Sequence, residues 1–181
     1  MARKQKDIIK TVKEVLPKGS KILIGVSGGM DSMCLLFACN SLSNELDLNI
    51  EVAHIDHSLR ATSLDDANFV CKFTKDLNLP FHLKKLSPPS KGENIEAWGR
   101  RERYKFFKEI VAANSIDLAL TAHTANDVAE TLLMRLVSNK ELNSIKSYDE
   151  KRKVLRPFLK ISRQQIEDFV SLNQVAFRED E

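Results

Sequence analysis

Six consecutive residues, Ser27-Gly28-Gly29-Met30-Asp31-Ser32, have the types and spacing needed to hold the phosphates of a nucleotide. They follow an apolar run, residues 21–26, and precede a segment of helical periodicity that begins near Met33. A strand that turns directly into a helix brings backbone N–H groups and the positive end of the helix dipole to one place. The paired glycines let an anion approach the backbone closely, and the Asp31 carboxylate can hold a divalent cation. The sequence therefore predicts a pyrophosphate cradle.

This loop differs from the two common phosphate-binding patterns. A Walker A loop reads G-x-x-x-x-G-K-[ST] and uses its lysine on the outer phosphates, whereas this loop has no lysine. The dinucleotide pattern G-x-G-x-x-G is missing as well. The alternative to a cradle is an ordinary strand-to-helix turn, with a serine cap and an acid in the first helical turn. We favour the cradle.

Two further segments concentrate ionisable side chains. Residues 53–60 read Ala-His-Ile-Asp-His-Ser-Leu-Arg, and residues 121–131 read Thr-Ala-His-Thr-Ala-Asn-Asp-Val-Ala-Glu-Thr. Three of the four histidines lie in these segments, and the fourth, His82, is interpreted as a packed or half-exposed residue within a strand. Each segment follows a predicted strand, so both are expected on the same rim of a parallel sheet as the glycine loop.

Asp127 is the strongest candidate in the later segment. It follows His123 by four residues and would lie on the first turn of a helix, where its carboxylate could complete a magnesium site with Asp31. Thr124 and Asp127 also match a capping box, so a purely structural role is the alternative. The nearby glycine loop favours the functional interpretation.

The segment Asn94–Lys108 interleaves five cations with aromatic side chains. Guanidinium groups pair with phosphates and aromatic planes stack on bases, so this composition is compatible with a nucleic-acid surface. The alternative is an amphipathic crossover helix with its apolar residues facing inward. Those apolar residues are Ile95, Trp98, Phe106, Phe107 and Ile110. Composition alone favours the amphipathic helix.

Hydrophobic periodicity alternates between strand and helix along the chain. The predicted strands lie near Ile22–Val26, Ile50–Ile55, Phe81–Leu86 and Leu118–Ala122. The predicted helices cover residues 6–16, 32–42, 63–77, 94–113, 124–137 and 162–172. Crossovers of this length imply an α/β fold, a doubly wound, mainly parallel sheet with helices on both faces. The tail after Ser147 is harder to assign: it holds a basic stretch and a short apolar segment, Val154–Leu159, before the last helix.

Length and composition narrow the possible classes of protein. A chain of 181 residues with 43% hydrophobic and 29% charged residues is ordinary for one soluble domain, and a net charge of +3 permits an acidic partner. No apolar run approaches the roughly 20 residues of a membrane helix, and no signal peptide is recognisable. Three cysteines without C-x-x-C spacing argue against a disulfide framework and a zinc site. We therefore expect a cytoplasmic protein without a membrane partner.

The residues described so far resemble a known family. The loop Ser27–Ser32 resembles the SGGxDS signature of the PP-loop ATP-pyrophosphatases, which have an adenine nucleotide alpha-hydrolase-like fold. Within that group the chain is most similar to the tRNA(Ile)-lysidine synthetases, over nearly its whole length. The resemblance rests, in chain order, on residues 54–60, Glu96, Arg100, Arg103, Tyr104, His123, Asp127, Glu130, Thr131, residues 156–159 and the final Glu179-Asp180.

The resemblance implies a two-step reaction with ATP and Mg²⁺ as cofactors. The wobble cytidine of an isoleucine tRNA is adenylated on the oxygen of its carbon 2, and the ε-amine of free L-lysine then attacks that carbon. The product is lysidine, and the partners are the tRNA and lysine, with a homodimer left open.

Residue roles follow from the same resemblance. Asp31, His123 and Asp127 are the implied catalytic residues, with Asp31 and Asp127 as metal ligands and His123 beside the α-phosphate. The implied ATP-binding residues are Ser27, Gly28, Gly29, Met30, Asp31, Ser32 and His54. The implied contacts to substrate or tRNA are Arg60, Arg100, Arg103, Glu130 and Arg156, with Glu130 orienting the lysine amine.

Two departures from the family keep other interpretations open. The family carries an R-G-x-G-x-x-G-L type loop after the fourth crossover helix, whereas Arg135–Ile145 contains no glycine and cannot offer the same close backbone approach. Relatives also carry C-terminal tRNA-binding domains, so residues 1–181 are predicted to be a single PP-loop domain without them. The alternatives are a related tRNA thiolation enzyme, disfavoured by the missing C-x-x-C pairs, and a degenerate nucleotide-binding module without catalysis.

Overall fold

The computed structural model describes residues 2–59, 63–139 and 141–179. In chain order the elements are α1 (Ala2–Val15), β1 (Lys21–Gly25), α2 (Met30–Ser41), α3 (Ser43–Leu46), β2 (Asn49–Asp56), α4 (Ser63–Asp76), β3 (Phe81–Lys85), α5 (Ile95–Ala113), β4 (Leu118–Leu120), α6 (Ala125–Val137), β5 (Tyr148–Asp149), β6 (Val154–Leu155) and α7 (Arg163–Asn173). Every predicted strand and helix is present, with ends shifted by a few residues. None of the described helices is both long enough and apolar enough to cross a membrane.

The six strands form one sheet in the order β3-β2-β1-β4-β6-β5. All neighbouring strands are parallel except β5 and β6, which form an antiparallel hairpin. The chain moves outward from β1 to β2 and β3, then crosses back to place β4 on the other side of β1. The direction of winding therefore reverses between β1 and β4, which is where such sheets open a crevice for a ligand. The predicted doubly wound, mainly parallel sheet is confirmed.

The β5–β6 hairpin is the part of the sheet that the sequence did not reveal. Each of its strands has two residues, and β6 is the first part of the apolar run Val154–Leu159. Two residues are too few to display the alternation by which a strand is recognised. The hairpin is defined by its partners, because β6 pairs with β4 through Ala119 and Leu120.

Consecutive residues of β1 face two different cores, as the alternation of a strand requires. Ile22 and Ile24 belong to the larger core, which includes buried residues of α1, α2 and α7. Leu23 belongs to the smaller core, where Phe107 of α5 packs. All three β1 residues are fully buried, so β1 is the central strand that both helix layers cover.

Helix α5 is amphipathic, as composition favoured, with one correction. Trp98, Phe106, Phe107 and Ile110 are buried as expected. The prediction that Ile95 faces inward is wrong, because its side chain is 56% exposed. Ile95 is the first residue of α5, and the helix is not buried until one turn later, at Trp98.

Helix α6 is held by its first turn rather than by apolar packing. None of its residues is buried, and it exposes Leu133, Met134, Leu136 and Val137. Its start is fixed by the Ala125 N–H, which donates to the Ile161 carbonyl at 3.0 Å, and by the predicted capping box between Thr124 and Asp127, which is confirmed. The best anchored part of α6 is therefore the turn that carries Asp127.

Gly25, the last residue of β1, leaves the space that the Phe107 ring fills. A Cβ atom added to Gly25 would overlap the Phe107 ring. We expect Gly25→Ala to lower the free energy of unfolding by about 2 kcal/mol, because overpacking strains a dense core. Gly29→Ala is the control, since its Cβ would meet Ser27 Oγ at an ordinary 3.5 Å. Urea unfolding measures both, and equal stabilities for the two variants would contradict this packing argument.

Candidate functional site

A cleft of about 430 Å³ opens at the carboxyl ends of β1, β2 and β4, across the point where the winding reverses. Its wall contains residues from all three segments that the sequence singled out. The predicted site residues that line it are Ser27, Asp31, Ser32, His54, Arg103, His123 and Asp127. The expectation that these segments meet on one rim of the sheet is therefore confirmed.

The glycine loop is folded by hydrogen bonds between its own residues. Gly28 has φ of +99°, a conformation that side chains rarely adopt. The Ser32 hydroxyl donates to the Gly29 carbonyl at 2.9 Å, and the Ser27 N–H donates to Ser32 Oγ at 3.1 Å. Helix α2 begins after Gly29 without a side-chain cap. The serine cap of the alternative interpretation is therefore absent, although its acid, Asp31, is in the first turn. The first N–H groups of α2 suit an anion.

Asp31 carries a buried carboxylate oxygen, Oδ1, that has no hydrogen-bond partner within the described residues. Burial raises the pKa of this carboxyl, and the nearby negative charges of Asp127 and Glu167 raise it further, while Arg163 opposes them. The Arg163 guanidinium lies 3.8 Å from the other oxygen, Oδ2. A desolvated carboxylate beside a second one is a costly arrangement that a divalent cation would relieve.

The metal-ligating groups available here suit magnesium. No group of three or more His, Cys, Asp or Glu side chains is arranged to hold a metal ion in residues 2–59, 63–139 and 141–179. Asp31 and Asp127 are two carboxylates on the cleft wall. Magnesium is commonly held by one or two carboxylates together with substrate phosphates, so this pair fits the expected ion.

His123 lies directly after β4 on the cleft wall, with Nδ1 at 2.9 Å from the Thr121 hydroxyl. Burial and the positive charge of Arg156 lower the pKa of His123 to about 4, with smaller contributions from Arg103 and Arg100 and an opposing one from Asp127. The imidazole is therefore neutral at neutral pH. A neutral ring has one N–H, which can donate a hydrogen bond to a phosphate oxygen.

The lowered pKa of His123 predicts a loss of stability in acid. The unfolded chain binds a proton on this histidine below its ordinary pKa of 6.5, whereas the folded chain does so only near 4, so unfolding becomes easier as the pH falls between these values. Replacing the histidine by glutamine should remove this dependence. Between pH 7 and pH 4.5 we expect His123→Gln to lose about 2 kcal/mol less stability than the wild type. Urea unfolding across this pH range measures the difference. Parallel plots of stability against pH for the two proteins would show that the pKa of His123 is not lowered on folding.

His54 is a buried histidine with a defined tautomer. Its Nδ1 donates to the Val26 carbonyl at 2.8 Å, because a carbonyl oxygen only accepts. Burial lowers the pKa of His54, so the ring is neutral and its Nε2 is the acceptor. The ring also stacks on Phe81, with centroids 6.4 Å apart. His54 therefore forms a fixed part of the cleft wall beside the glycine loop.

His57, within residues 53–60, also lines the cleft, and the sequence did not indicate a role for it. Its ring makes an edge contact with Trp98, with centroids 5.6 Å apart, and burial lowers its pKa. A Cβ on Gly99 would come within 3.1 Å of His57 Cε1, so the glycine provides room for the imidazole. Asp56 also lines the cleft and accepts from the Ser58 N–H at 2.7 Å.

The predicted substrate contacts divide into two groups. Arg103 lines the cleft and has its pKa lowered by burial. Arg156 is buried and Arg100 exposed, and neither is part of the cleft wall. Glu130 is exposed on α6, also away from the wall. Arg60 lies outside the described residues.

Two arginines near the C-terminal end brace the glycine loop, and no sequence signal pointed to either. The Arg163 guanidinium approaches Asp31, and the backbone N–H of Arg178 donates to the Gly28 carbonyl at 3.0 Å. The Arg178 side chain forms an ion pair with Asp66 of α4, another cleft residue. Met30 faces a separate groove shared with α7 rather than the cleft.

The PP-loop domain family matches residues 1–181. The chain belongs to the PP-loop family. Membership of this ATP-pyrophosphatase family implies that the chain uses ATP. The segment Ser27–Ser32, which resembles the family signature, lies at the N-terminus of α2.

Curated relatives of this PP-loop protein are tRNA(Ile)-lysidine synthases. That of Clostridium perfringens is 36% identical over 98% of this chain and 40% of its own length. Those of Clostridium tetani and Geobacter sulfurreducens are each 38% identical, over 92% and 90% of this chain and 37% and 36% of their own lengths. The chain therefore spans about two fifths of the length of the relatives it matches.

Solved structures confirm the PP-loop fold. The U34-tRNA thiolase NcsA from Methanococcus maripaludis, solved with its [4Fe-4S] cluster, superposes with a TM-score of 0.83 at 16% identity, covering 99% of this chain and 65% of that one. The NMN synthetase from Francisella tularensis gives a TM-score of 0.60 at 10% identity, covering 96% and 71%. At these identities the likeness concerns the fold alone.

Proposed function

We propose that this PP-loop domain catalyses the formation of lysidine in an isoleucine tRNA, using ATP, Mg²⁺ and free L-lysine. In the first step the carbon 2 oxygen of the wobble cytidine attacks the α-phosphorus of ATP, and pyrophosphate leaves. In the second step the lysine ε-amine attacks carbon 2, the carbon–oxygen bond breaks, and AMP leaves. The amine proton is lost to solvent or to a base.

The observation that carries this proposal is the meeting of three strand ends at one cleft. A chain that is 36% identical to a tRNA(Ile)-lysidine synthase over 98% of its length brings the loop Ser27–Ser32, His54 and the His123–Asp127 segment together there. The cleft thus combines a glycine loop at a helix N-terminus, a pair of carboxylates and a neutral imidazole. This set suits adenylation, in which a leaving pyrophosphate must be neutralised.

The start of α2 and four side chains of the cleft would take part in the first step. The N–H groups at the start of α2 would hold the phosphates, and Asp31 with Asp127 would hold magnesium, whose charge would neutralise the pyrophosphate. His123 would donate its N–H to the α-phosphate as negative charge increases there. Arg103 would contribute a fixed positive charge from the cleft wall.

The second step depends on the segment after α6, which has no glycine. Arg135 holds this segment by donating from Nη1 to the Glu141 carbonyl at 2.9 Å. Leu142 is exposed, so this part of the chain lies open to solvent. We propose that lysine binds between this segment and the cleft, with Glu130 orienting the amine.

The test is to incubate the chain with unmodified isoleucine tRNA, ATP, magnesium and labelled lysine. The proposal predicts pyrophosphate release together with label in the RNA. A tRNA with uridine at the wobble position is the matched control and should give neither product, because its base lacks the exocyclic amino group of cytidine. Pyrophosphate without label would show adenylation with a lost second step, and ATP binding with neither product would overturn the proposal.

A further inference from the structure

Tyr104 of α5 brings three arginines together at the edge of the cleft. Its hydroxyl oxygen accepts a hydrogen bond from Arg156 Nη2 at 3.0 Å. The guanidinium carbons of Arg152 and Arg100 lie 4.9 Å and 5.3 Å from the centre of its ring. Phe107 supports the ring with a perpendicular contact, with centroids 6.2 Å apart. We call these four residues, Tyr104, Arg100, Arg152 and Arg156, the arginine cluster.

The arginine cluster carries more positive charge than its surroundings balance. Asp149 pairs with Arg152 at 2.7 Å and is the one carboxylate that hydrogen-bonds to the cluster within the described residues. Arg156 is buried, and its Nη1 donates to the Lys146 carbonyl at 2.8 Å. Its Nε has no hydrogen-bond partner among the residues that the structure describes. Bringing guanidinium groups together without matching carboxylates is costly unless an anion binds beside them.

The position of the cluster suggests the kind of anion. None of its four residues lines the cleft, and Arg100 and Arg152 are exposed. The cluster nevertheless adjoins the cleft, because Phe107, whose ring contacts Tyr104, lines the cleft wall. A ligand that reaches both places must extend beyond the cleft, as a polymer does when its reacting base lies inside. Arginine forks match phosphate oxygens, and most nucleic-acid contacts are to the backbone.

We propose that Tyr104 is a positioning residue for RNA binding, which holds the three guanidinium groups as a surface for the phosphate backbone next to the reacting base. This inference rests on the proposed function in taking RNA as the substrate. The inference adds Arg152 to Arg100 and Arg156, which the family resemblance already implied as contacts to substrate or tRNA. Tyr104 itself acts through the arginines, by stacking on two of them and by accepting a hydrogen bond from the third.

The test measures how tightly the chain binds a short RNA hairpin with a CAU anticodon in its loop, at several salt concentrations and without lysine. Tyr104→Leu should weaken binding about tenfold and lower the slope of log affinity against log salt by about 1, as expected when a phosphate contact is lost. Tyr104→Phe, which keeps the ring, should recover part of this loss. Affinity for a non-hydrolysable ATP analogue should stay within about twofold, because the cluster lies outside the cleft.

Tyr148→Phe is the matched control, since Tyr148 is the other tyrosine of the chain and should leave RNA binding unchanged. Wild-type RNA affinity and salt slope in Tyr104→Leu would overturn the inference. If Tyr104→Leu does not fold, Arg152→Gln, at the exposed edge of the arginine cluster, tests the inference instead. It should lower the salt slope by about 1, and an unchanged slope would overturn the inference. A chain that binds this RNA but forms no lysidine would refute the proposed function and not this inference.

Discussion

Asp31→Asn is expected to reduce pyrophosphate release by about a thousandfold while leaving the protein folded. The substitution keeps the shape of the side chain and removes the charge that would hold magnesium at the glycine loop. The raised pKa of Asp31 shows that the folded state disfavours its ionised form at neutral pH. Removing this charge should therefore leave the free energy of unfolding unchanged or slightly higher, as expected where a site gives up stability for function.

The matched control for Asp31→Asn is Glu167→Gln. Glu167 of α7 also acts on the pKa of Asp31 but does not line the cleft. Its replacement should change pyrophosphate release by less than about threefold, since it offers nothing to the phosphates. Pyrophosphate release and urea unfolding are measured on both variants. Near wild-type release by Asp31→Asn would refute the metal-binding role of this carboxylate.

Asp127→Asn is expected to lower pyrophosphate release by about a hundredfold and to raise the magnesium concentration needed for half-maximal release. Asp127 has a structural role as well, because its Oδ2 accepts from the Thr124 N–H at 2.6 Å and from the Thr124 hydroxyl at 2.8 Å. Asparagine retains one acceptor oxygen for the cap, so stability should fall by less than about 1 kcal/mol. A carboxylate has two oxygens, and capping through Oδ2 leaves Oδ1 for a metal.

Thr124→Ala separates the two roles of Asp127. It removes the hydroxyl that accepts from the Asp127 N–H and keeps the carboxylate. Stability should fall by about 1 kcal/mol, the usual cost of losing an N-cap, while the magnesium requirement should stay as in the wild type. If both variants lose stability equally and neither alters the response to magnesium, Asp127 is a capping residue alone.

Much of the fold and part of the site could be read from local patterns. The alternation of strands and helices predicted the sheet, and the residues Ser27–Ser32 predicted a strand-to-helix turn, because both are properties of short stretches of chain. The capping box at Thr124 was visible in the same way. The hairpin of β5 and β6 was not, since two-residue strands have no periodicity of their own. Ile95 was misplaced because a helical pattern does not show where packing begins.

The contacts that set the charge of the site came from distant segments. Arg163 beside Asp31 and Arg178 beside the Gly28 carbonyl belong to the C-terminal part of the chain. Tyr104 and Arg156 are 52 positions apart in sequence. No spacing rule links such residues, because the fold brings them together only after the sheet has formed.

The sequence by itself determined that the chain builds a parallel sheet with a glycine loop after its first strand and that three motifs lie on one rim. These follow from the order of strands, turns and helices, which local interactions encode. Only the tertiary structure decided which charges surround each group. Asp31 is desolvated, and its Oδ1 has no hydrogen-bond partner within the described residues. The pKa of His123 is lowered by burial and by the charges of Arg156, Arg103 and Arg100. Tyr104 contacts a partly different set of arginines, Arg100, Arg152 and Arg156. The protonation of a buried group depends on its whole three-dimensional surroundings, and these do not exist until the chain has folded.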